Sequence, residues 1–474
     1  MIKPLLTVFI FLSLARMVMA QDFPFGKISR EEMDMTSYLK DTSAHAVVLR
    51  EFGKAGIGMV TDENIRLIIE YHVKIKIFDN KGFDNGTVEI PSYNYNEDAD
   101  LYEKIEDITG VTYYKGDDGE THKIDFDNTK IIVQKENKNL VLYKFTVPAM
   151  RSGCVIEYRY RKITPYFENF STWYFQSDIP KVFSEYEAHI PAYYRYNISL
   201  KGGLKLTKNT SSVEKNCLMI NSGSGIEAKG ADCSLFDWVM TDVPALVNEE
   251  YMTSPKNFLA AIRFELTDFE NPYNGAHLNE AKQWSDVDRN IKKTIYFGDQ
   301  LKKKSLYKDR VVPLIMGKPD ELSKAKAVYA YIQQSFNWDG QDGKYSEDGI
   351  NKALDKHAGN DADINLSLIV ALNAAGVNAY PVLISTRENG VASSLYPVIN
   401  DFNYVIARVD ADGQSYLLDA TDRLLSFGML PLRCLNGKGR VFYVDKPSDW
   451  VELNPQQKEK PRVRSISPFR MMAN

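Results

Sequence analysis

Cysteine is scarce in this sequence, and so are other features that would define a class of protein. Four cysteines in 474 residues are too few for the disulfide framework of a small secreted domain. No apolar stretch approaches the roughly 20 residues that a membrane-spanning helix needs. The net charge of −5 argues against nucleic acid and against electrostatic docking on anionic lipid. We therefore expect neither a nucleic-acid partner nor a transmembrane segment.

The first twenty residues have the layout of a secretory signal peptide. Lys3 precedes an apolar run from Leu5 to Ala15, and Val18 and Ala20 put small residues at the two positions that specify cleavage. The sequence predicts a signal peptide over residues 1–20, an exported chain, and a periplasmic or secreted location. No cysteine stands near the cleavage point, so a lipid anchor on the new N terminus is not expected.

Short β-type segments separated by turn residues fill the first half of the chain. They mix β-branched and aromatic residues with alternating charge, as in VKIKIFD (73–79), KIIVQK (130–135), NLVLYKFTV (139–147) and CVIEYRYRK (154–162). Many short strands with turns at fairly regular spacing are typical of an antiparallel sandwich. The sequence predicts an antiparallel β-sandwich domain over residues 21–265.

The pattern then changes to helices followed by strands. Periodic apolar residues predict helices over 284–297 and 320–336 and within 357–376, and strands over 378–386, 402–409 and 414–421. Ser285 and Asp288 have the spacing of a capping box at the start of the first helix. The third helix is apolar in almost every direction, so we expect it to be buried on all sides, with Gly376 as its C-cap. This layout predicts an α+β domain over 266–450, with 451–474 as a tail.

A polar turn that contains glycine leads into the third helix, in the run HAGNDADINLSLIVALNAAG (357–376). Many enzymes place a nucleophile at such a helix N terminus, where the helix dipole stabilises an anion. In this chain the position holds Asp361 and not cysteine or serine. The turn therefore has the architecture of an active site without the usual reagent.

The order of buried helix and three strands, with LDAT closing the last, resembles the transglutaminase-like superfamily, whose catalytic core has a papain-like fold. In that family a Gly-x-Cys turn supplies the thiol, a His begins a later strand, and an Asp ends the next. Gly359 and Asp361 match the first and third turn positions, Tyr404 stands where the His would be, and Asp419 matches the Asp. The resemblance covers about 280–450 and implies a triad degenerate to Asp361, Tyr404 and Asp419.

Aromatic-rich stretches of the first domain resemble the family called domain of unknown function 3857. They are WYFQSDIP (173–180), PAYYRYNISL (191–200) and WVMTDVPALVNEEYMTSP (238–255). Such domains commonly precede a transglutaminase-like domain in exported bacterial proteins, and the resemblance implies a β-sandwich. Members often carry a further β module at the C terminus, which this chain, ending at Asn474, is expected to lack or to have truncated.

Thiol-based acyl transfer requires a thiolate, a base near neutrality and a group that orients the base. No histidine follows the turn, because the six are His45, His72, His122, His189, His277 and His357. Tyr404, with an unperturbed pKa of about 10, is a poor base at neutral pH, and the carboxylate of Asp361 is a weak nucleophile toward amides. Since such groups act as a unit, we expect no catalytic residues, and we predict no cofactor.

The sequence thus favours a non-catalytic protein that binds or scaffolds a peptide, protein or glycan of the bacterial cell envelope. The candidates for lining its pocket are Asp361, Asp363, Tyr404 and Asp419. Because tyrosine replaces histidine at 404, the natural partner of Asp419 becomes the Tyr404 hydroxyl. We therefore predict a buried hydrogen bond between these two side chains, which joins their strands.

The alternative function is a carboxylate- or metal-dependent hydrolase at the same pocket. Asp361 and Asp419 can act as acid and base or share a divalent ion, and His357 is a possible further ligand. Asp361, Asp363 and Asn365 alternate as at the start of a calcium loop, but the glycine and the final glutamate of such a loop are missing. Capping of the helix is the simpler interpretation, so we predict no metal.

The cysteines leave two questions open. Cys434 is a third candidate nucleophile, although no histidine follows it, and an inert thiol is the favoured interpretation. Cys217 and Cys233 either form a disulfide, which an exported location permits, or remain two buried thiols. Cys154 lies in a strand-like run, where a core position is expected.

Overall fold

The structure is a computed structural model that describes residues 23–61, 64–94, 101–136, 139–167, 170–220, 229–249, 252–278, 283–392, 397–443 and 446–454. The predicted signal peptide (1–20) and most of the predicted tail (451–474) lie outside the described residues. In the described part of the chain no helix is long and apolar enough to cross a bilayer.

Strands predominate over helices, so the predicted α+β class is confirmed. The strands of the described ranges are β1 (Ala46–Thr61), β2 (Asn64–Ile77), β3 (Thr87–Tyr93), β4 (Lys104–Lys115), β5 (Thr121–Asp125), β6 (Ile132–Lys135), β7 (Leu140–Thr146), β8 (Val155–Thr164), β9 (Trp173–Tyr174), β10 (Lys181–Pro191), β11 (Tyr194–Lys201), β12 (Lys208–Ile220), β13 (Lys229–Val243), β14 (Ala261–Glu270), β15 (His277–Leu278), β16 (Asn337–Trp338), β17 (Ala358–Gly359), β18 (Asn378–Ile384), β19 (Tyr404–Ala411), β20 (Gln414–Leu418), β21 (Lys438–Val441) and β22 (Asp449–Glu452). The α-helices are α1 (Arg30–Asp34), α2 (Trp284–Lys293), α3 (Ser305–Ile315), α4 (Glu321–Ser335), α5 (Ile350–Lys356) and α6 (Asp361–Ala374).

Residue contacts divide the described chain into two units. The first comprises the described residues up to Ala192 together with Lys205–Ala245, and the second comprises Tyr193–Leu204 together with the described residues from Leu246 onward. This division differs from the predicted boundary at 265/266, because β11 pairs antiparallel with β14 and so joins the second unit. At the other end, β22 pairs with β21 and extends the second unit's sheet past the predicted limit at residue 450.

The first unit is built on an eight-stranded sheet of order β12-β13-β10-β1-β2-β8-β4-β5. A second sheet, of order β3-β7-β6, packs on it through a core in which Val88 and Phe145 join Val48, Ile75 and Ile156 of the large sheet. Burial alternates strictly along β3, as expected where one sheet face meets a core and the other meets water. The two layers form the predicted sandwich.

One pair of strands in this sandwich departs from the prediction of an antiparallel arrangement. β1 and β10 run parallel to each other, whereas β1 and β2 are antiparallel. Parallel neighbours require a long crossover connection, and the chain between β1 and β10 contains the second sheet, which supplies that length. Alternation within a strand predicts its buried face but not the direction of its partner.

Helix α6 is the centre of the second unit. It packs against an antiparallel sheet of order β20-β19-β18-β21-β22 and contacts α3, α4 and α5. Every residue from Asp361 to Leu372 is buried, so the prediction of a helix covered on all sides is confirmed. The helix is capped at Ala375, one residue before the predicted Gly376, which follows with a φ of 78°.

The two preceding helices occur as predicted, with shifted ends. α4 lies within the predicted range 320–336 and begins after the cap residue Asp320. α2 stops at Lys293, and its first turn is capped by Asp286, which accepts a hydrogen bond from the Gln283 amide at 3.2 Å. The predicted capping box is therefore wrong, because Asp288 has another partner: its carboxylate accepts hydrogen bonds from Arg440 at 2.7 and 2.6 Å.

Cys217 and Cys233 form a disulfide between β12 and β13, with 5.8 Å between their Cα atoms. Of the two interpretations that the sequence left open for this pair, the structure has the disulfide. Cys154 and Cys434 are free thiols and both are buried. The core position predicted for Cys154 is confirmed.

Candidate functional site

The polar turn before α6 is a capping box. Asn360 accepts a hydrogen bond from the Asp363 amide at 2.8 Å, and the Asp363 carboxylate accepts one from the Asn360 amide at 3.3 Å. The other oxygen of Asp363 accepts a hydrogen bond from the Ser346 hydroxyl. Gly359 is required for this packing, since a Cβ there would lie 2.7 Å from the Asp363 side chain. The capping interpretation of the turn is confirmed.

Asp361 lies at the first position of α6 and is fully buried. Its Oδ2 accepts a hydrogen bond from the Val405 amide at 2.7 Å, and its Oδ1 accepts one from the Gly343 amide. Burial raises its pKa well above the usual value, and the nearby carboxylates of Asp342 and Asp419 raise it further, against the effect of the two amides. The side chain therefore fastens the helix start to β19 and to a loop.

That loop, residues 341–346, covers the N terminus of α6 and is called the covering segment below. Besides the Gly343 contact, its Tyr345 carbonyl accepts a hydrogen bond from the Asn360 side chain at 2.9 Å. Ser346 bonds to Asp363 as described above. The covering segment thus contributes to the complete burial of Asp361.

Tyr404 and Asp419 form the predicted hydrogen bond. The Tyr404 hydroxyl donates to Asp419 Oδ2 at 2.9 Å, and both side chains are fully buried. The Thr421 hydroxyl lies 3.2 Å from the Tyr404 hydroxyl, and the Thr421 amide donates to Asp419 Oδ1 at 3.0 Å. Burial, followed by the charges of Asp419 and Asp361, raises the pKa of Tyr404 above its ordinary value.

Asn365 connects these strand residues to the helix. Its side-chain NH₂ group donates to Asp419 Oδ1 at 3.0 Å and to the Val405 carbonyl at 2.9 Å. Its side-chain carbonyl oxygen, Oδ1, accepts a hydrogen bond from the Ala420 amide at 2.9 Å. The sequence singled out this residue only as a position of a calcium loop. In the structure its hydrogen bonds connect α6 to β19 and to the segment after β20.

Arg433 completes the cluster and was not anticipated from the sequence. One of its terminal nitrogens donates to the Thr421 hydroxyl at 2.6 Å, to the Tyr404 hydroxyl at 3.1 Å and to Asp419 Oδ2 at 3.3 Å. Its guanidinium also lies over the Trp338 ring, 4.4 Å from the centroid. We call Asn365, Tyr404, Asp419, Thr421 and Arg433 the buried polar cluster. No local pattern in the sequence marks Arg433, which lies in a 3₁₀ helix of three residues, Leu432–Cys434, before β21.

Cys434 follows directly and also reaches the cluster. Its thiol lies 3.7 Å from Asp419 Oδ2 and is fully buried. Burial and the charge of Asp419 raise the pKa of the thiol well above its ordinary value. A nucleophilic cysteine needs the opposite shift and an exposed sulfur, so this geometry matches the inert thiol that the sequence favoured.

Two other proposed metal ligands lie away from a shared centre. Asp363 points to Ser346 and not to Asp419. His357 is the left-handed C-cap of α5, and its ring is hydrogen-bonded to the Ser335 carbonyl at 3.0 Å. Among the described residues, the groups of three side chains that are close enough to share an ion are His189 with Cys217 and Cys233, and Glu185 with Glu187 and Asp237. Neither group includes a predicted pocket residue.

The arrangement thus brings Asp361, Tyr404 and Asp419 together and sets Asp363 beside them at the helix start. Its groups are hydrogen-bonded to one another or to backbone, and Asp361 and Asp363 also bond to the covering segment. These contacts join α6 to β19 and to the segment after β20.

Comparison with known proteins adds a structural likeness. No family model and no curated protein matches the chain. A crystal structure of a protein from Parabacteroides distasonis, proposed to be a protease, is similar with a TM-score of 0.57 and 13% identity, over 87% of this chain and 72% of that one. At this identity the likeness shows a shared fold and says nothing of the chemistry.

Two further solved structures are more distant. A protein from Cytophaga hutchinsonii, proposed to be a cysteine protease, matches with a TM-score of 0.21 and 10% identity over 78% of each chain. A transglutaminase matches with a TM-score of 0.21 and 11% identity over 53% of each chain. These scores are too low to support an argument about this molecule.

Proposed function

We propose that this chain is an exported, non-catalytic protein of the transglutaminase-like type that binds or scaffolds a peptide- or glycan-containing component of the bacterial cell envelope. The observation that carries the proposal is the state of Asp361. At the position where the family places its thiol, this side chain is fully buried and each of its carboxylate oxygens accepts a backbone hydrogen bond. Asp361 is thereby used as a structural group.

The neighbouring groups support the absence of thiol chemistry. Tyr404, at the position of the family's base, has a pKa raised further by burial, so it cannot take up a proton from a nucleophile near neutral pH. Asp419, which would orient a histidine in the family, is bonded to Tyr404 and Arg433. Cys434 is buried, and its raised pKa disfavours the thiolate.

A binding role is supported by the rim of the same region. Arg433 keeps about a quarter of its side chain exposed, at 28%, while stacking on Trp338. The Trp338 indole donates to the Gln341 carbonyl at 3.0 Å, which holds the ring against the covering segment. An aromatic ring with a stacked guanidinium suits contacts with peptides and with sugar faces.

Incubation of the mature protein with isolated peptidoglycan sacculi tests the proposal, since this polymer contains both peptide and glycan. We expect the protein to sediment with the sacculi and to release no fragments detectable by mass spectrometry. Iodoacetamide at neutral pH should leave Cys434 unlabelled until the protein is unfolded. Release of fragments that Cys434→Ala or Asp361→Ala abolishes would overturn the non-catalytic role, and failure to sediment would overturn the ligand class.

The alternative hydrolase has one observation in its favour, because a carboxylate with a raised pKa, such as Asp361, is common at catalytic sites. Thermal unfolding with added Ca²⁺, Mg²⁺, Mn²⁺ or Zn²⁺ separates the two functions. A saturable rise in Tm that Asp361→Asn abolishes would support the hydrolase, since a ligand bound only to the folded state stabilises it. We expect no such rise.

Export is tested on the protein itself. Expression of the full chain in a bacterium, followed by fractionation and mass spectrometry, should yield a periplasmic or secreted form that begins after Ala20. An intact N terminus in the cytoplasm would contradict export. The Cys217–Cys233 disulfide supports an oxidising compartment.

A further inference from the structure

A cleft of about 630 Å³ in the first unit contains an unusual buried charge. It lies where the end of α1, the end of β2, the end of β4 and the loop 151–153 meet. Its volume is within the range of small-molecule sites, about 300–1,000 Å³. It is separate from the site around Asp361, which lies in the second unit.

Lys76 reaches this cleft from β2 and is only 1% exposed. Its ammonium donates to the Met33 carbonyl at 2.7 Å and to the Gly153 carbonyl at 2.8 Å. A lysine ammonium has three N–H donors, so one remains. Among the described residues no carboxylate forms an ion pair with the Lys76 ammonium. The nearby Asp34 is paired with Lys115 and Arg30 instead. A buried charge without a counter-charge is costly.

The rest of the cleft adds positive charge and an apolar wall. Lys115 and Arg151 are at its edge, against the single carboxylate of Asp34. The Arg151 guanidinium is held over the Tyr114 ring, 3.9 Å from its centroid. The side chains of Met35 and Phe78 also line the cleft. A local excess of cations is notable in a chain whose net charge is −5.

We propose that this cleft binds a small organic anion whose carboxylate or phosphate head group contacts Lys76, Lys115 and Arg151 while its apolar portion packs on Met35 and Phe78. The head group supplies the counter-charge that the buried ammonium lacks. Bonds between a charged donor and a charged acceptor are the strong class of hydrogen bond, and the apolar wall restricts the ligand to molecules with a hydrocarbon part.

The lowered pKa of Lys76 is consistent with an ammonium group that has no bound counter-ion. Burial lowers its pKa to about 8, Asp34 and the Cys154 thiol act in the opposite direction, and Lys115 lowers it further. A bound anion favours the ammonium and raises this pKa. Binding should accordingly be strongest near pH 7 and weaken above pH 9, where the free lysine is neutral.

Calorimetric titration of the mature protein with octanoate and with octyl phosphate, each below its critical micelle concentration, tests the proposal. Lys76→Met and Arg151→Gln should each weaken binding about tenfold or more, the expected effect of losing one charged hydrogen bond. Lys123→Gln, on an exposed residue of β5 outside the cleft, is the matched control and should bind like wild type.

The two head groups are compared in the same titrations, and acetate and inorganic phosphate serve as probes without a chain. Tighter binding of one amphiphile identifies the head group. Absence of saturable binding for both amphiphiles, or binding that neither variant weakens, overturns the proposal. Equal affinity for the short probes overturns the apolar part. Arg151 is exposed, so its variant should fold and keep the test decisive even if Lys76→Met does not.

Discussion

The buried polar cluster makes a sharp prediction about Tyr404, because the Tyr404 hydroxyl contacts Asp419, Thr421 and Arg433. Tyr404→Phe keeps the ring and removes this hydroxyl. The fully buried Asp419 Oδ2 then loses a donor, and the partly exposed Arg433 loses an acceptor. The variant should be less stable than wild type.

The magnitude follows from the contacts that remain. A hydrogen bond to a charged group contributes about 1.5–3 kcal/mol net. Asp419 keeps donors from Asn365, from the Thr421 amide and from Arg433, so the lower part of this range, about 1.5–2 kcal/mol, is expected. For a unit of about 150–250 residues each kcal/mol lowers Tm by about 2–4 °C, which gives a fall of about 3–8 °C.

Differential scanning calorimetry is the suitable assay, because a chain with two units can unfold in more than one transition. Tyr416→Phe is the matched control, since that hydroxyl bonds to Gln414 at an exposed site of β20 and its loss should cost less than about 0.5 kcal/mol. A double-mutant cycle with Asp419→Asn isolates the pair, for which we expect a coupling of about 1 kcal/mol.

Two results would contradict a stabilising role for this hydroxyl. A Tm for Tyr404→Phe at or above that of wild type would mean that the hydroxyl adds no stability. A coupling near zero would mean that the cost of losing the hydroxyl lies elsewhere, for example in a cavity around the ring. Either outcome would remove the structural explanation for the tyrosine at position 404.

Three further predictions concern other parts of the chain. Burial raises the pKa of Asp361 above its unfolded value of about 4, so between the two values the folded state binds more protons than the unfolded state and stability falls as pH rises. In urea unfolding, the stability advantage of wild type over Asp361→Asn should therefore shrink from pH 4 to 8. An advantage that grows over this range contradicts the prediction. Asp288→Ala leaves Arg440 buried without its carboxylate and should cost about 3–5 kcal/mol by urea denaturation, whereas a loss below about 1 kcal/mol would mean that solvent compensates. The double variant Cys217→Ser/Cys233→Ser opens a loop of 16 residues and should lose about 3 kcal/mol; thiol titration of the unfolded wild type should count two thiols before reduction and four after.

Helix α6 was predictable because its signals are local. A polar turn, a cap residue and a run of apolar side chains stand next to one another in the sequence, and burial on all sides follows from the lack of a polar face. The same holds for β18, β19 and β20, whose alternation and turns are read within each segment. The proximity of Asp361, Tyr404 and Asp419 was predicted from the resemblance to the transglutaminase-like superfamily and not from these local signals.

The contacts of Arg433 and Cys434 with Asp419 were not predictable in the same way. Both residues lie in a short 3₁₀ helix, Leu432–Cys434, between β20 and β21, and no periodic pattern in the sequence marks so short an element. The parallel pairing of β1 with β10 and the pairing of β11 with β14 were not predicted for a related reason. Alternation fixes which face of a strand is buried but not its partner or direction, and those depend on contacts between segments far apart in the chain.

The start of α2 has a capping box, as predicted, but the residues that form it are Gln283 and Asp286 and not Ser285 and Asp288. The spacing of Asp288 from Ser285 fits a capping box, yet capping contributes about 0.5–2 kcal/mol, while leaving Arg440 unpaired in the interior costs about 3–5 kcal/mol. The larger effect decides, and α2 is capped through Asp286 instead. Competition of this kind is invisible in a short window, because the competing partner lies on β21.

The buried polar cluster gives Asp419, the aspartate of the LDAT motif, a structural role. Asp419 is a buried carboxylate, and its donors are Asn365, the Thr421 amide, Tyr404 and Arg433. A change to one member removes one partner from the others, which is destabilising even where an apolar cluster of the same volume would be equally stable. Through these contacts Asp419 joins the segment after β20 to β19 and to α6, so the aspartate contributes to stability whether or not the site has an activity.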